Sequence, residues 1–394
     1  MESDGQSTSP ALRQDDVESI VAQIIGDARI ESLDWCVRTM TNGADGAHVG
    51  GSGVFCVSGT AHVAGRQRPW SAVMKALGGA NAAGKEFTDD PAAWNYWKRE
   101  ILAFESGLLA DLSGDLVAPR CYGITGRPHD EWHLWLEQIE ETVPQWSLER
   151  HGLAARHLGQ FNGSSLVRGH VQPMTPWLSR GRLHAWMVSA ETLFARLEQY
   201  AASATARVWL SAQSMQRMRR MLRSHQALLA QLDRLPFCLC HHDAFRRNLL
   251  ARDDAQGRAQ TVAVDWAMFG YGGVGEEIGI TAALALAWLE VDGALARDLD
   301  RFIFDSYVEG LADAGWHGDL RLVRFGYAAT ASLAIGVGWA TLMGGRALQS
   351  EDGRRAVETR IGADLKVVLE QWALVQPFLL DLGEEALDLM SSLR

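Results

Sequence analysis

The stretch Cys240-His241-His242-Asp243-Ala244-Phe245-Arg246-Arg247-Asn248, followed by Val262-Ala263-Val264-Asp265-Trp266, carries the strongest chemical signal in the chain. It holds a carboxylate, Asp243, that can accept a hydroxyl proton, and an amide oxygen, Asn248, five positions on. A second carboxylate, Asp265, closes the next apolar run. A base, together with amide and carboxylate oxygens for a magnesium ion, is the equipment of phosphoryl transfer. An isolated H-x-D is common; H-x-D-x-x-x-x-N with a strand ending in Asp downstream is a more specific pattern.

These groups converge only if the chain returns on itself. Residues 237–240 and 261–264 predict two strands joined by a polar turn containing Asp253, Asp254 and Gly257. In such a hairpin-like unit Asp243 leaves the first strand, Asn248 returns to it and Asp265 stands at the end of the second. Two other chemistries compete. Cys238, Cys240, His241 and His242 could gather a metal, but tight zinc sites pair ligands as C-x₂₋₄-C with a second pair downstream, and none is apparent. His-Asp pairs also ligate metals in all-helical phosphohydrolases, whereas this pair is flanked by strand-like runs.

Upstream, predicted strands at 32–40, 54–63 and 70–77 surround a glycine-rich stretch at 42–53. Gly50, Gly51 and Gly53 would let the backbone approach phosphates closely; the stretch does not match G-x-G-x-x-G, and an ordinary hairpin turn is the alternative. Lys75 sits inside the apolar run 73–77, which is costly unless its ammonium reaches an anion or solvent. An ATP phosphate is such an anion, and an edge-strand lysine reaching water is the alternative. Asp90 and Pro91 predict the start of a helix whose apolar stripe includes Trp94, Trp97, Ile101 and Leu108. On it, Glu100 adjoins the stripe and is the expected partner of Lys75, with Glu105 as rival and an exposed acid as the third reading. Residues 132–139 predict a strand ended by Glu140, Glu141 and Pro144, where backbone groups around Glu137 to Ile139 would read adenine.

Lys75, Glu100, the strand at 132–139, H-H-D-A-F-R-R-N and V-A-V-D-W together resemble the aminoglycoside phosphotransferase and choline-kinase-like superfamily, over about residues 32–290. The phrases WNYWKREILAFESGLL and GLAARHLGQFNG resemble an uncharacterised bacterial branch of it. The resemblance implies an α+β, protein-kinase-like fold of two lobes, the first small and β-rich and the second larger and mainly α. It implies Asp243 as catalytic base or hydroxyl-orienting residue, Asn248 and Asp265 as Mg²⁺ ligands, Lys75 as the residue that positions ATP, and Glu277 as a brace for the catalytic loop. Trp266-Ala267 replaces the Phe-Gly of protein kinases, no A-P-E follows, and the stretch from Asp265 to Glu277 is too short for a peptide-docking activation loop. Arg246 and Arg247 in the catalytic loop could neutralise phosphate or merely bond nearby groups.

With 394 residues, 47% of them hydrophobic, the chain can bury a large core and divide into lobes. The expected division is a disordered tail at 1–16, a nucleotide-binding lobe with a leading helix at 17–139, and a catalytic and substrate-binding lobe at 140–394. Helices are expected at 148–162, 183–200, 212–232 and from 276 onward. A net charge of -11 argues against nucleic-acid binding and is compatible with a cationic substrate. Five scattered cysteines and a polar, acidic start point to a cytoplasmic protein with reduced thiols and no signal peptide. Residues 325–345 lack charge, yet their glycines and hydroxyls favour a buried helix over a membrane span. Among 15 tryptophans, Trp177, Trp186, Trp288, Trp316 and Trp339 fall where an acceptor pocket would be walled. The combined expectation is ATP- and Mg²⁺-dependent O-phosphorylation of a small hydroxylated molecule, such as an aminoglycoside-like antibiotic, an amino alcohol or a sugar. A nucleotide-binding scaffold and a metal-dependent phosphohydrolase are the rivals.

Overall fold

The computed structural model describes residues 12–40, 51–78, 87–110, 112–169 and 175–393. The first part of the chain runs through α1 (Gln14–Ile25), β1 (Ile30–Thr39), β2 (Gly51–Val63), β3 (Arg66–Gly78), α2 (Arg99–Glu105), β4 (Leu116–Val117), β5 (Cys121–Gly126) and β6 (Glu131–Leu136). Five of these strands form an antiparallel sheet in the order β1-β2-β3-β6-β5. Ala64 and Gly65, with φ of 51° and 68°, make the two-residue turn that joins β2 to β3, as the twist of paired strands favours. Side chains alternate across β3. Ala72, Met74 and Ala76 join the cluster that receives Val17, Ile20 and Val21 of α1, while Val73 and Leu77 pack with Trp97 and Ile101 on the α2 side. Lys75, between them, is thereby aimed at α2.

Two expectations are corrected here. The leading helix begins at Gln14, inside the expected tail, with Asp15 and Asp16 in its first turn and Asp16 paired to Arg127 at 3.0 Å. The helix expected from Asp90 is confined to Arg99–Glu105. Asp90 instead closes a turn by accepting from the Ala92 N–H. The carbonyls of Pro91, Ala93 and Trp94, which a helix would use internally, accept from the Arg99 guanidinium at 3.2, 2.6 and 2.7 Å. Arg99 also reaches the carbonyls of Trp177 and Ala267 in the second part of the chain.

That second part contains α3 (Leu148–Arg168), α4 (Leu183–Tyr200), α5 (Ala212–Leu232), β7 (Phe237–Cys240), β8 (Leu249–Asp253), β9 (Ala259–Ala263), β10 (Gly270–Gly273), α6 (Glu276–Ala287), α7 (Ala296–Asp313), α8 (Leu320–Thr330), α9 (Gly345–Gln349), α10 (Glu351–Ile361) and α11 (Leu365–Ser392). α3 and α7 lie so close that a Cβ on Gly310 would stand 2.0 Å from the Arg156 carbonyl oxygen. α8 continues through wide π-helical turns at Ala331–Gly344 into α9. This apolar stretch is long enough to cross a membrane, but 94% of its most apolar window is buried among the other helices.

The strand pairing around the catalytic segment differs from the expected hairpin. β7 pairs with β10, and the strand ending near Asp265 pairs with β8, a strand the sequence reading did not separate. The buried Leu249 and Ala251 account for it: they begin a strand of their own directly after Asn248, in register with Ala263 and Thr261. The polar turn at 253–257 thus joins β8 to β9.

Candidate active site

At the end of β7 the chain turns sharply, with His242 at φ 63°. The turn is held by one buried carboxylate. Glu277 Oε1 accepts the backbone N–H groups of His241 and His242 at 2.5 and 3.0 Å, and Oε2 accepts from Asn162 Nδ2 at 2.9 Å. Asn162 also donates to the Leu239 carbonyl and accepts from the Tyr307 hydroxyl. Burial pushes the Glu277 carboxyl up to about 7 against these three hydrogen bonds. His241 Nε2 lies 2.9 Å from the Val264 carbonyl oxygen and therefore donates, leaving Nδ1 to accept the Asp243 N–H at 3.2 Å. Burial lowers the His241 pKa, consistent with a neutral ring.

The Asp243 carboxylate projects from this loop with both oxygens engaged. Oδ2 accepts from Asn248 Nδ2 at 2.9 Å, and Oδ1 accepts from Arg182 Nη2 at 2.7 Å. Asn248 Nδ2 also donates to the Asp243 carbonyl, and the Asn248 carbonyl accepts the Val264 N–H. The loop is thus stitched to the segment that delivers Asp265. Asp265 itself takes a left-handed conformation, φ 65° and ψ 66°, in a turn that costs energy for a residue with a Cβ.

Lys75 Nζ stands 2.8 Å from both Glu100 oxygens and 2.9 Å from Asp265 Oδ1. Glu100 Oε1 also accepts the Trp266 N–H. Lys75 is 6% exposed and Glu100 1%, which rules out an edge-strand lysine reaching for water. Burial opposes the Lys75 ammonium, but Asp265 and Glu100 outweigh it and hold its pKa above the ordinary value. Burial raises the Glu100 pKa, with Lys75 pulling the other way. The rival, Glu105, is exposed.

The remaining expected residues are dispersed. Gly51 and Gly53 lie at the start of β2, paired across an irregularity with Leu77 and Ala76. At Gly53, φ 152°, a Cβ would approach the Phe55 ring to 2.8 Å. Gly50 lies outside the described residues. The Glu137 N–H donates to the Arg120 carbonyl, and its carboxylate accepts from the Arg120 N–H and from Arg252 at 3.1 and 3.0 Å. Ile139 lies half-buried on the segment leaving β6. Arg246 bonds Glu141 and the carbonyls of Pro144 and Leu249, and Arg247 bonds the carbonyls of Arg360 and Ile361 over the Trp288 ring. Both are occupied in holding the loop. Of the five tryptophans expected around an acceptor, Trp186 stands beside the base, 4.3 Å below the Arg182 guanidinium, while Trp339 packs on Trp372. Arg182 was missed: it precedes α4, far from every motif, and nothing in its sequence context marks it.

Among the described residues no group of three or more His, Cys, Asp or Glu side chains is arranged to hold a metal, which leaves the Cys238-Cys240-His241-His242 cluster without support. A magnesium ion asks less of the protein, one or two oxygen ligands beside phosphates and water. Asn248, whose amide nitrogen is turned to Asp243, keeps its amide oxygen for such a role, and Asp265 supplies a carboxylate. The donor set fits.

With two carboxylates, an amide and a buried lysine gathered between a β-sheet and a helical body, the class defined is a small-molecule kinase of protein-kinase-like fold. Residues 86–317 match the phosphotransferase enzyme family, more than half of the 394-residue chain, and the chain belongs to that family. In fold it is similar to an aminoglycoside phosphotransferase from Alicyclobacillus acidocaldarius, with TM-score 0.53 and 15% identity over 98% of this chain and 99% of that one. It is likewise similar to choline kinase from Cryptosporidium parvum, with TM-score 0.51 and 11% identity over 95% and 99%. No curated protein matches the sequence.

Proposed function

We propose that the protein is an ATP- and Mg²⁺-dependent O-phosphotransferase acting on a hydroxyl of a small molecule. One observation carries this reading: the Lys75-Glu100-Asp265 and Asp243-Asn248 groups are bonded into one assembly through Val264 and His241. Asp243 orients the acceptor hydroxyl and takes its proton as the acceptor oxygen bonds to the γ-phosphorus. The bond from that phosphorus to the bridging oxygen breaks, and ADP leaves with the electron pair. Lys75 holds the α- and β-phosphates, released from Asp265 as the nucleotide enters, and Glu100 keeps its ammonium aimed. Gly51 and Gly53 cover the phosphates, and the segment at Glu137 to Ile139 borders adenine. Asn248 and Asp265 would hold Mg²⁺, which when bound supplies charge neutralisation on the phosphates. The nucleotide-binding lobe runs from α1, beginning at Gln14, to about residue 139, and the catalytic lobe begins near 140. Five free cysteines and a requirement for ATP fit a cytoplasmic place of action.

The short link from Asp265 to α6, occupied by β10, favours a small acceptor over a peptide. Radiolabelled ATP with Mg²⁺ should label a member of a panel of sugars, amino sugars, amino alcohols and hydroxy acids, and leave generic protein substrates unlabelled. MgATP binding without transfer to any acceptor would replace this reading with that of a nucleotide-binding scaffold, and release of phosphate to water alone with that of a phosphohydrolase.

A further inference from the structure

Beside Asp243 lies a narrow cleft lined by Arg180, Arg182, Trp186, His242, Glu276 and Thr330. Its carboxylates are already satisfied. Glu276 Oε1 accepts from Arg180 at 2.9 Å and from the Gly273 N–H at 2.7 Å. Glu277, on the same wall, has its three donors, and Asp243 has Arg182 and Asn248. His242 is neutral, its pKa pushed down to about 3 by burial and the neighbouring Arg180, and its Nε2 donates to the Tyr271 carbonyl. Donors, by contrast, are in surplus. Among the described residues Arg180 Nε, Arg182 Nε and Thr330 Oγ1 are buried without a hydrogen-bond partner, Thr330 on a residue only 3% exposed. The spare groups that carry charge are guanidinium N–H donors, whereas the acceptors left over, the neutral His242 Nδ1 and the Thr330 hydroxyl oxygen, carry none, so the cleft favours a ligand rich in oxygen lone pairs over an ammonium.

We propose that the acceptor carries an oxyanion, a carboxylate or a phosphate, close to the hydroxyl it presents, and that Arg182 is the residue that selects it. The inference rests on the phosphotransfer reading above. Arg182 now holds the Asp243 oxygen that Asn248 does not. An oxyanion arriving in the cleft competes for that guanidinium, draws it along the Trp186 ring and frees Oδ1 for the hydroxyl. Recognition and exposure of the base are then one event. An amino alcohol or aminoglycoside meets the same guanidinium as a like charge.

The test uses two matched sets of acceptors with radiolabelled ATP and Mg²⁺: gluconate, glucose 1-phosphate, glucose and glucosamine; and glycerate, glycerol 3-phosphate, glycerol and serinol. They are extended to further hydroxy acids and sugar phosphates with their neutral and amino counterparts. A carboxylate or a phosphate member should be labelled with kcat/KM at least about tenfold above its neutral and amino counterparts, and which of the two it is identifies the oxyanion. Arg182→Gln should raise KM for that acceptor by on the order of tenfold to a hundredfold, leave KM for MgATP within about twofold, and shrink the gap to the neutral counterpart. Arg182→Lys should restore part of the gap. Preference for an amino or neutral member, or an acid-to-neutral ratio unchanged in Arg182→Gln, overturns this inference and leaves phosphotransfer standing. No labelled acceptor at all, with MgATP bound, removes the phosphotransfer reading and this inference with it.

Discussion

Replacing Glu277 with alanine would take away the one carboxylate that holds the turn before the base. Three donors would be stranded, the N–H groups of His241 and His242 and Asn162 Nδ2, at a residue 2% exposed. A buried donor without a partner costs about 1–3 kcal/mol, so with local rearrangement the loss should be about 3–5 kcal/mol. Glu277→Gln keeps an oxygen for the two backbone groups but turns an amide nitrogen toward Asn162 Nδ2, and should lose about 1–2 kcal/mol at acid pH. The two variants also separate shape from charge. The native carboxyl is raised from the ordinary 4.5 to about 7. A carboxyl raised on folding contributes stability that is present below its unfolded pKa and lost as pH climbs through its folded pKa, here about 3 kcal/mol between roughly pH 4.5 and 7. Glu290, also raised to about 7 by burial, contributes a similar slope and is untouched. Urea denaturation at pH 5 and 7.5 should therefore show the penalties of both variants falling by the same amount, about 2–3 kcal/mol, as pH rises, that of Glu277→Gln to zero or below and that of Glu277→Ala remaining the larger at each pH. An alanine variant within about 1 kcal/mol of the wild type at pH 5, or a glutamine penalty independent of pH, would refute the brace as described.

Three further variants probe the remaining assembly. Asp243→Asn should keep MgATP affinity and lose about 10²–10⁴-fold in acceptor phosphorylation, measured by steady-state kinetics, because the amide keeps the shape without the base. Asp265→Asn should weaken MgATP binding by calorimetry, since an anionic oxygen leaves the metal site; unchanged affinity would remove Asp265 from that role. Lys75→Met should abolish most turnover and also lower stability by about 3–5 kcal/mol in denaturant titrations, because Glu100 would remain buried without its cation. Lys75→Met with Glu100→Gln should then regain stability but not activity.

What the sequence disclosed, and what it withheld, follows the range of each interaction. Helices α4 and α5 and strand β7 have the boundaries their apolar periodicity predicts, and the pairing of Lys75 with Glu100 follows from one lysine in an apolar strand and, of the two acids on the facing helix, the one that adjoins its apolar stripe. Where a side chain reaches across the chain, local pattern misled. The stripe at Trp94, Trp97 and Ile101 has helical spacing, yet Arg99 takes the carbonyls that would have built the first turns. Leu249 and Ala251 form too short an apolar run to announce that β8, and not β7, would claim β9. Arg182 belongs to a segment 61 residues from the base it contacts, and such a contact leaves no trace in a single sequence.

The guanidinium of Arg99 also sets how far the two parts of the molecule can be treated as interchangeable. Its hydrogen bonds all go to neutral carbonyls, from Pro91, Ala93 and Trp94 on its own side and from Trp177 and Ala267 on the other. Burial lowers its pKa to about 10, so the cation is held by dipoles and has no counter-charge to replace them. A chimaera that joined this sheet to the helical body of a relative at residue 140 would break that set at two of its five acceptors, next to Glu100. A graft that preserves the site has to carry the irregular segment at 177–182 and the turn at 266–268 along with α2, although neither is contiguous with it in sequence.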